Sequence, residues 1–134
     1  MRESLDSRGY NVAMERFVVL RHELPASSPR ASHWDFMLEG GSGLRTWALE
    51  ALPSEGEPTV AQALPEHRLD YLTYEGSVSG DRGRVWRWDE GRYVYLSNLV
   101  DECIVRVEGR KMHATWTLSR TVDDQRWVVL DGGD

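Results

Sequence analysis

His33-Trp34-Asp35-Phe36-Met37-Leu38-Glu39 is the stretch on which the fold turns. Successive side chains of a β-strand point to opposite faces. Trp34, Phe36 and Leu38 then share an apolar face, while His33, Asp35, Met37 and Glu39 share the other. The first face reads as core. The second aims an imidazole and a carboxylate the same way from alternate positions, which is what a metal site asks of a single strand. The plain alternative is a half-buried strand whose polar face is solvated.

The neighbouring segments repeat the strand pattern. Upstream, Glu15 to Arg21 contains Phe17-Val18-Val19-Leu20, a central strand that ends in Arg21-His22. Glu23 to Ser32 holds two prolines and three serines and reads as a loop. Downstream, Gly40 to Gly43 is a turn, and Leu44 to Leu49 returns as the second arm of a hairpin. Thr59 to Leu64 fits either a short strand or one helical turn. Arg84 to Trp88 and Arg92 to Leu96 read as a hairpin around Asp89-Glu90-Gly91. Cys103, Val105 and Val107 share one face of Glu102 to Glu108. In Lys111 to Ser119, Met112, Ala114, Trp116 and Leu118 point inward, and Lys111, His113, Thr115 and Thr117 point outward. Arg126 to Leu130 is a closing strand, and residues 1–13 have no clear period, as in a loose arm or a first short turn of helix. Eight or nine short strands with little helix predict a mainly β protein, a compact antiparallel β-barrel or sandwich in one domain over 1–134. Tryptophans within the strands suit the filling of a small barrel.

Composition narrows the function. A chain of 134 residues, 40% hydrophobic and 28% charged, buries a real core without disulfides, and its one cysteine, Cys103, has no internal partner. That cysteine alternates with valines and reads as inert core. A reducing, cytoplasmic setting is the default expectation, with no membrane partner, since no apolar run approaches a span and 1–8 is too polar for a signal peptide. The net charge of −6 disfavours strong non-specific grip on DNA, although Arg82, Arg84 and Arg87 form a local basic group.

The chemistry rests on few residues. His22 ends a strand, His33 opens the next, and with Asp35 they make a two-imidazole, one-carboxylate set with room for water or substrate. His-x-Asp also opens the facial triad of non-haem iron oxygenases, where His67 or His113 would be the distal ligand. His113 falls on an outward strand face, where a solvated role suffices. Tyr71 follows His67 by four positions. A phenol beside an imidazole orients a phosphate or relays a proton, or else simply packs on the barrel with its hydroxyl in water. Phosphate-binding glycine loops, the Gly-x-Ser-x-Gly motif and zinc-type cysteine pairs are all missing from the sequence.

Seven short pieces, in order, carry a resemblance. They are Arg21-His22; His33-x-Asp35-Phe36-x-Leu38-Glu39; Trp47-Ala48; Glu66-His67-x-Leu69-Asp70-Tyr71; Glu75-Gly76; Trp88-Asp89-x-Gly91; and Trp116-Thr117-Leu118-x-Arg120. From about Phe17 to Arg120 the chain resembles the 3′-phosphoesterase domain of bacterial end-joining DNA ligase D and its free-standing relatives. The resemblance implies a compact antiparallel barrel with the site in its mouth or cavity. It also implies a divalent metal, manganese in type with zinc or another transition metal as alternatives, and removal of a 3′-phosphate or 3′-ribonucleotide from DNA ends. By motif, His22, His33 and Asp35 would hold the metal, and His67 and Tyr71 would contact the scissile phosphate.

Departures from that pattern cluster where phosphate would be held. The motif's arginine is replaced by Met37, a lysine by Ala51, and a further basic position by Thr59. Methionine offers neither charge nor donors. On this reading the metal corner is whole and the phosphate corner is depleted. Weak or altered activity on DNA 3′ ends or another phosphoester is expected, with Met37→Arg raising it. The alternatives are a non-catalytic metal- or partner-binding module of DNA-repair machinery and, further off, an iron oxygenase.

Overall fold

The structure is a computed structural model that describes residues 3–5, 11–122 and 125–134. Its strands are β1 (Glu3–Leu5), β2 (Asn11–Ala13), β3 (Glu15–Glu23), β4 (His33–Glu39), β5 (Leu44–Leu49), β6 (Thr59–His67), β7 (Gly76–Ser77), β8 (Arg84–Asn98), β9 (Glu102–Gly109), β10 (His113–Arg120) and β11 (Arg126–Asp131). One 3₁₀ turn, Leu69–Leu72, follows β6. Of the expected N-terminal arm, β1 and β2 pair antiparallel with each other and form no turn of helix; the rest of 1–10 lies outside the described residues. Among the described residues no helix is long and apolar enough to cross a membrane.

The main sheet runs β3-β4-β5-β6-β11-β10-β9-β8-β7, and β3 also pairs with β8. Eight strands thereby close into an antiparallel barrel, with β7 appended to β8. Closure removes the sheet edges that would otherwise template association.

One side of every barrel strand supplies the core. Phe17 and Val19 from β3, Phe36 and Leu38 from β4, Trp47, Trp116 and Trp127 from β5, β10 and β11, and the β9 trio Cys103, Val105 and Val107 pack together. Phe36 stacks near Trp47 with ring centroids 6.1 Å apart and meets Trp116 at 4.8 Å, within the range where aromatic pairs add to simple area burial. Burial pushes the Cys103 thiol up to about 11, against the opposing pull of Arg45, so the inert reading of this cysteine stands.

The Phe-Val-Val-Leu run has no solvent side at all. Val18 and Leu20 alternate with Phe17 and Val19 and form a second buried cluster with Met37, Leu44, Leu72 and Val85. That cluster lies on the outer face of β3 and β4, beneath the 3₁₀ turn that carries Leu72. A strand buried on both faces reads as a continuous apolar run, which explains the composition of β3.

The hairpin expected around Asp89-Glu90-Gly91 does not form. Arg84–Asn98 is one strand of 15 residues. Its first part pairs with β3 and its second with β9, and Gly91 sits opposite Phe17 on one side and Gly109 on the other. Ladders on both flanks hold the segment extended in spite of its turn-forming residues. The strand is irregular at two places: a bulge at Trp88, where the register with β3 jumps from Val19↔Asp89 to Leu20↔Arg87, and another at Leu96, where the register with β9 jumps from Tyr95↔Val105 to Ser97↔Ile104. Thr59 to Leu64, ambiguous by periodicity, belongs to the strand β6.

Candidate metal centre and its cleft

β3 and β4 bring His22 directly opposite His33 in register. Because odd positions of β4 face away from the barrel core, Asp35 projects to the same outer side as His33. Ligand atoms of His22, His33 and Asp35 lie within 4.8 Å of one another. His22 Nδ1 is 3.2 Å from Asp35 Oδ2, and His33 Nε2 is 3.1 Å from Asp35 Oδ1. Donors about 2 Å from one ion stand roughly 3–4 Å apart, so this spacing fits a shared cation.

The hydrogen bonds around the trio fix which atoms face inward. A carbonyl only accepts, so the ring nitrogen beside it carries the proton. His33 Nδ1 donates to the Ala31 carbonyl at 3.0 Å, which leaves the lone pair on Nε2. His22 Nε2 donates to the Arg82 carbonyl at 2.7 Å, which turns Nδ1 toward Asp35. This is the outer support that metal-bound histidines require. His33 Nε2 and Asp35 Oδ1, although close, lack hydrogen-bond geometry, and neither has another partner. His33 and Asp35 are only 6% and 3% exposed, so two orphaned polar atoms face each other out of reach of bulk water. A cation between them would satisfy both. The donor set, two imidazoles and a carboxylate, suits a first-row transition metal.

Electrostatics point the same way. Burial pushes the Asp35 carboxyl upward, but the His22 and His33 imidazoles beside it reverse this and hold it at about 2. The hydrogen bond to Asp35 outweighs burial and raises His22, with Arg30 pulling against it. Asp35 is thus an anion throughout the neutral range.

The trio forms one wall of a cleft of about 710 Å³ that His67 and Tyr71 also line. His67 closes β6, and its Nδ1 donates to the Pro65 carbonyl at 2.9 Å, leaving Nε2 free of that contact. Tyr71 comes from the 3₁₀ turn and meets His67 edge to face at 5.8 Å. All five residues singled out in the sequence therefore share one cleft. It is not in the mouth of the barrel, as expected, but on the outside of the wall. Loops from both sides roof it, because the apolar cluster of Val18, Leu20 and Met37 needs covering there.

Other expectations are corrected. Met37 shares its β4 face with His33, Asp35 and Glu39 but is not a solvated position on it. It lines the cleft floor, but at 1% exposure it is packed among Val18, Leu20, Leu44 and Leu72. Met37→Arg is accordingly expected to lower stability by roughly 2–4 kcal/mol in urea unfolding, since it overpacks the cluster and places a charge in it. Ala51 and Thr59 are not in the cleft lining; the Ala51 N–H donates to Thr59 Oγ1 at 3.1 Å. His113 is exposed on β10. Around the barrel order, β10 lies four strands from β4 in either direction, so the core separates His113 from Asp35. The oxygenase reading loses that distal ligand.

Three cleft residues escaped the sequence reading: Arg30, Arg68 and Arg82. In the sequence Arg82 stands out only as part of a basic group with Arg84 and Arg87. Its Nε and Nη2 are tied to Ser79, while its carbonyl serves His22. For Arg30 and Arg68 the available signal is a cation in the loop next to a candidate histidine; Arg82 has no histidine near it in sequence.

Fold and site together define a small closed barrel with an outward histidine–carboxylate centre beside a histidine–tyrosine pair. The sequence profile of the DNA ligase D 3′-phosphoesterase domain matches residues 24–120, and the chain belongs to that family. It is 32% identical over 122 residues to the multifunctional non-homologous end joining protein LigD of Mycobacterium bovis and, equally, to the LigD DNA repair protein of Mycobacterium tuberculosis; each alignment covers 84% of this chain. The LigD protein of Pseudomonas aeruginosa is 27% identical over 130 residues, 87% of this chain. The chain spans about 15% of the length of these relatives.

Proposed function

We propose that this domain is a divalent-metal-dependent 3′-phosphoesterase acting on DNA ends, with His22, His33 and Asp35 as metal ligands and His67 and Tyr71 as the groups that engage the phosphate. The observation that carries the reading is the pair of buried, partnerless atoms, His33 Nε2 and Asp35 Oδ1, in a cleft shared with His67 and Tyr71. A metal at such a centre supplies polarisation of a phosphoryl oxygen and an activated water. Manganese is the proposed ion, by family membership, and the donor set admits zinc as well.

The chain's own groups account for the rest. With Nδ1 held by Pro65, His67 presents Nε2 to a phosphate oxygen or a leaving oxygen. Tyr71 packs against the Val18–Met37 cluster and is positioned by it, so its hydroxyl is offered from a fixed ring. Position 37 brings no cation to the phosphate, so turnover is expected to be slow and to depend on the loop arginines. DNA 3′ ends are the proposed substrate and end-joining repair the proposed setting, by the family's description.

The assay is phosphate release from a 3′-phosphorylated primer–template with added manganese. Wild type is expected to release phosphate, His33→Ala to release none, and His67→Ala to fall at least about 100-fold, as for loss of an acid–base group. Metal retained by wild type without phosphate release would leave a non-catalytic metal-binding module.

A further inference from the structure

Beside the metal centre lies a second hollow of about 560 Å³. Its floor is apolar, from Leu49, Val60 and Ala61, and Glu50 and Arg126, the latter at the start of β11, also line it. Two residues, His33 and Arg30, line both this groove and the catalytic cleft. The two spaces therefore adjoin at the metal centre, and Arg30 marks their junction.

Arg30 is exposed, in the loop between β3 and β4, and has no ion-pair or side-chain hydrogen-bond partner among the described residues. Arg126 is likewise exposed, with no such side-chain partner among them. Of the acidic groups in the cleft, Glu66 is turned to the Ser42 hydroxyl and Asp81 lies in the turn before Arg82. Neither pairs with Arg30. A guanidinium left unpaired at the meeting of two hollows is free to fork onto phosphate oxygens.

We propose that this groove is the track for the DNA strand leading to the processed end, with Arg30 gripping the phosphate next to the metal centre and Arg126 a phosphate further along. This rests on the phosphoesterase reading and deepens it. The loop takes over the grip that β4, with Met37, does not provide. The apolar floor suits the face of a sugar or base, and the two cations suit the backbone, so a polynucleotide fits this groove better than a small phosphomonoester does.

The test is binding read without turnover: fluorescence anisotropy of a labelled 3′-phosphorylated primer–template in EDTA, across a salt series. Arg30→Gln and Arg126→Gln are each expected to weaken binding about tenfold, as for loss of one charged hydrogen bond. Each should lower the slope of log affinity against log salt by about 0.7–0.9, the value for one phosphate contact. Arg30→Lys should keep the wild-type slope. Arg106→Gln, on β9 and paired with Asp134, should change neither quantity. Unchanged affinity and slope in both glutamine variants, or no binding by wild type, overturns the proposal. The catalytic reading fails separately: wild type that binds with these slopes but releases no phosphate with any divalent metal would keep the track and lose the esterase.

Discussion

Asp35→Asn is expected to erase the stabilisation that a divalent metal gives this barrel. Asp35 is the one anion of the trio, and each of its oxygens faces one imidazole. Asparagine keeps the shape and one acceptor but removes the charge and offers a donor where a ligand oxygen stood. Replacing a ligand should cost more than the 10–100-fold that loss of an outer-shell partner typically costs, so metal affinity should fall by at least about 100-fold. A ligand at 100 times its dissociation constant stabilises the folded state by about 2.7 kcal/mol. For a domain of this size that is a rise in melting temperature of roughly 8–12 °C. Wild type should show this rise with manganese, and Asp35→Asn should show almost none. Without metal the variant should unfold within about 1–2 kcal/mol of wild type, since only one charge-assisted hydrogen bond is weakened. Thermal unfolding with and without manganese reads both quantities without reference to activity. An Asp35→Asn protein that still gains the full rise would remove Asp35 from the centre.

The parts of this site that the sequence makes legible are those with a local period. Alternation alone separates Phe36 from Asp35 and sets Cys103, Val105 and Val107 inward, because strand geometry ties face to parity. The His-x-Asp spacing is legible for the same reason. Parity does not say what covers the outer face. His33 to Glu39 reads as core on one side and solvent on the other, yet the 3₁₀ turn with Leu72 lies over the second side and makes Met37 a core residue. That covering comes from residues more than thirty positions away and leaves no mark on β4 itself. Arg30 is hidden for a related reason: a cation in a proline-bounded loop looks like any solvated charge until the loop's path carries it to the metal centre. The misread hairpin is the converse case. Asp89-Glu90-Gly91 has turn chemistry, but that chemistry answers to the strands on either side and not to a reversal of the chain.

Asp89 is where the second large effect is expected, and here it concerns the fold. The side chain is 2% exposed and accepts from four backbone N–H groups. Oδ1 takes those of Glu90, Arg110 and Lys111 at 2.8, 2.8 and 3.1 Å, and Oδ2 takes that of Met112 at 2.9 Å. Three of the four belong to the turn that joins β9 to β10. One carboxylate on β8 thus caps the reversal of its neighbour, and Gly109 is needed there because a Cβ at that position would run into the carboxylate. Lys111 is placed over the Trp88 ring at 4.8 Å by the same turn. Truncation by Asp89→Ala takes this acceptor from all four; the Arg110 N–H still reaches the Glu90 carbonyl at 3.1 Å, and an N–H left buried and unmet costs about 1–3 kcal/mol. Partial access to water reduces the sum, and the expected loss is about 4 kcal/mol, a large share of the 5–15 kcal/mol that holds a typical domain together. Asp89→Asn keeps the three bonds to Oδ1 but sets an amide donor against the Met112 N–H, for a loss of about 2 kcal/mol. Urea unfolding measures both, and amide hydrogen exchange at Arg110, Lys111 and Met112 should accelerate in the same order. If Asp89→Ala costs less than about 1 kcal/mol and those amides stay protected, the β9–β10 turn is held by something other than this carboxylate.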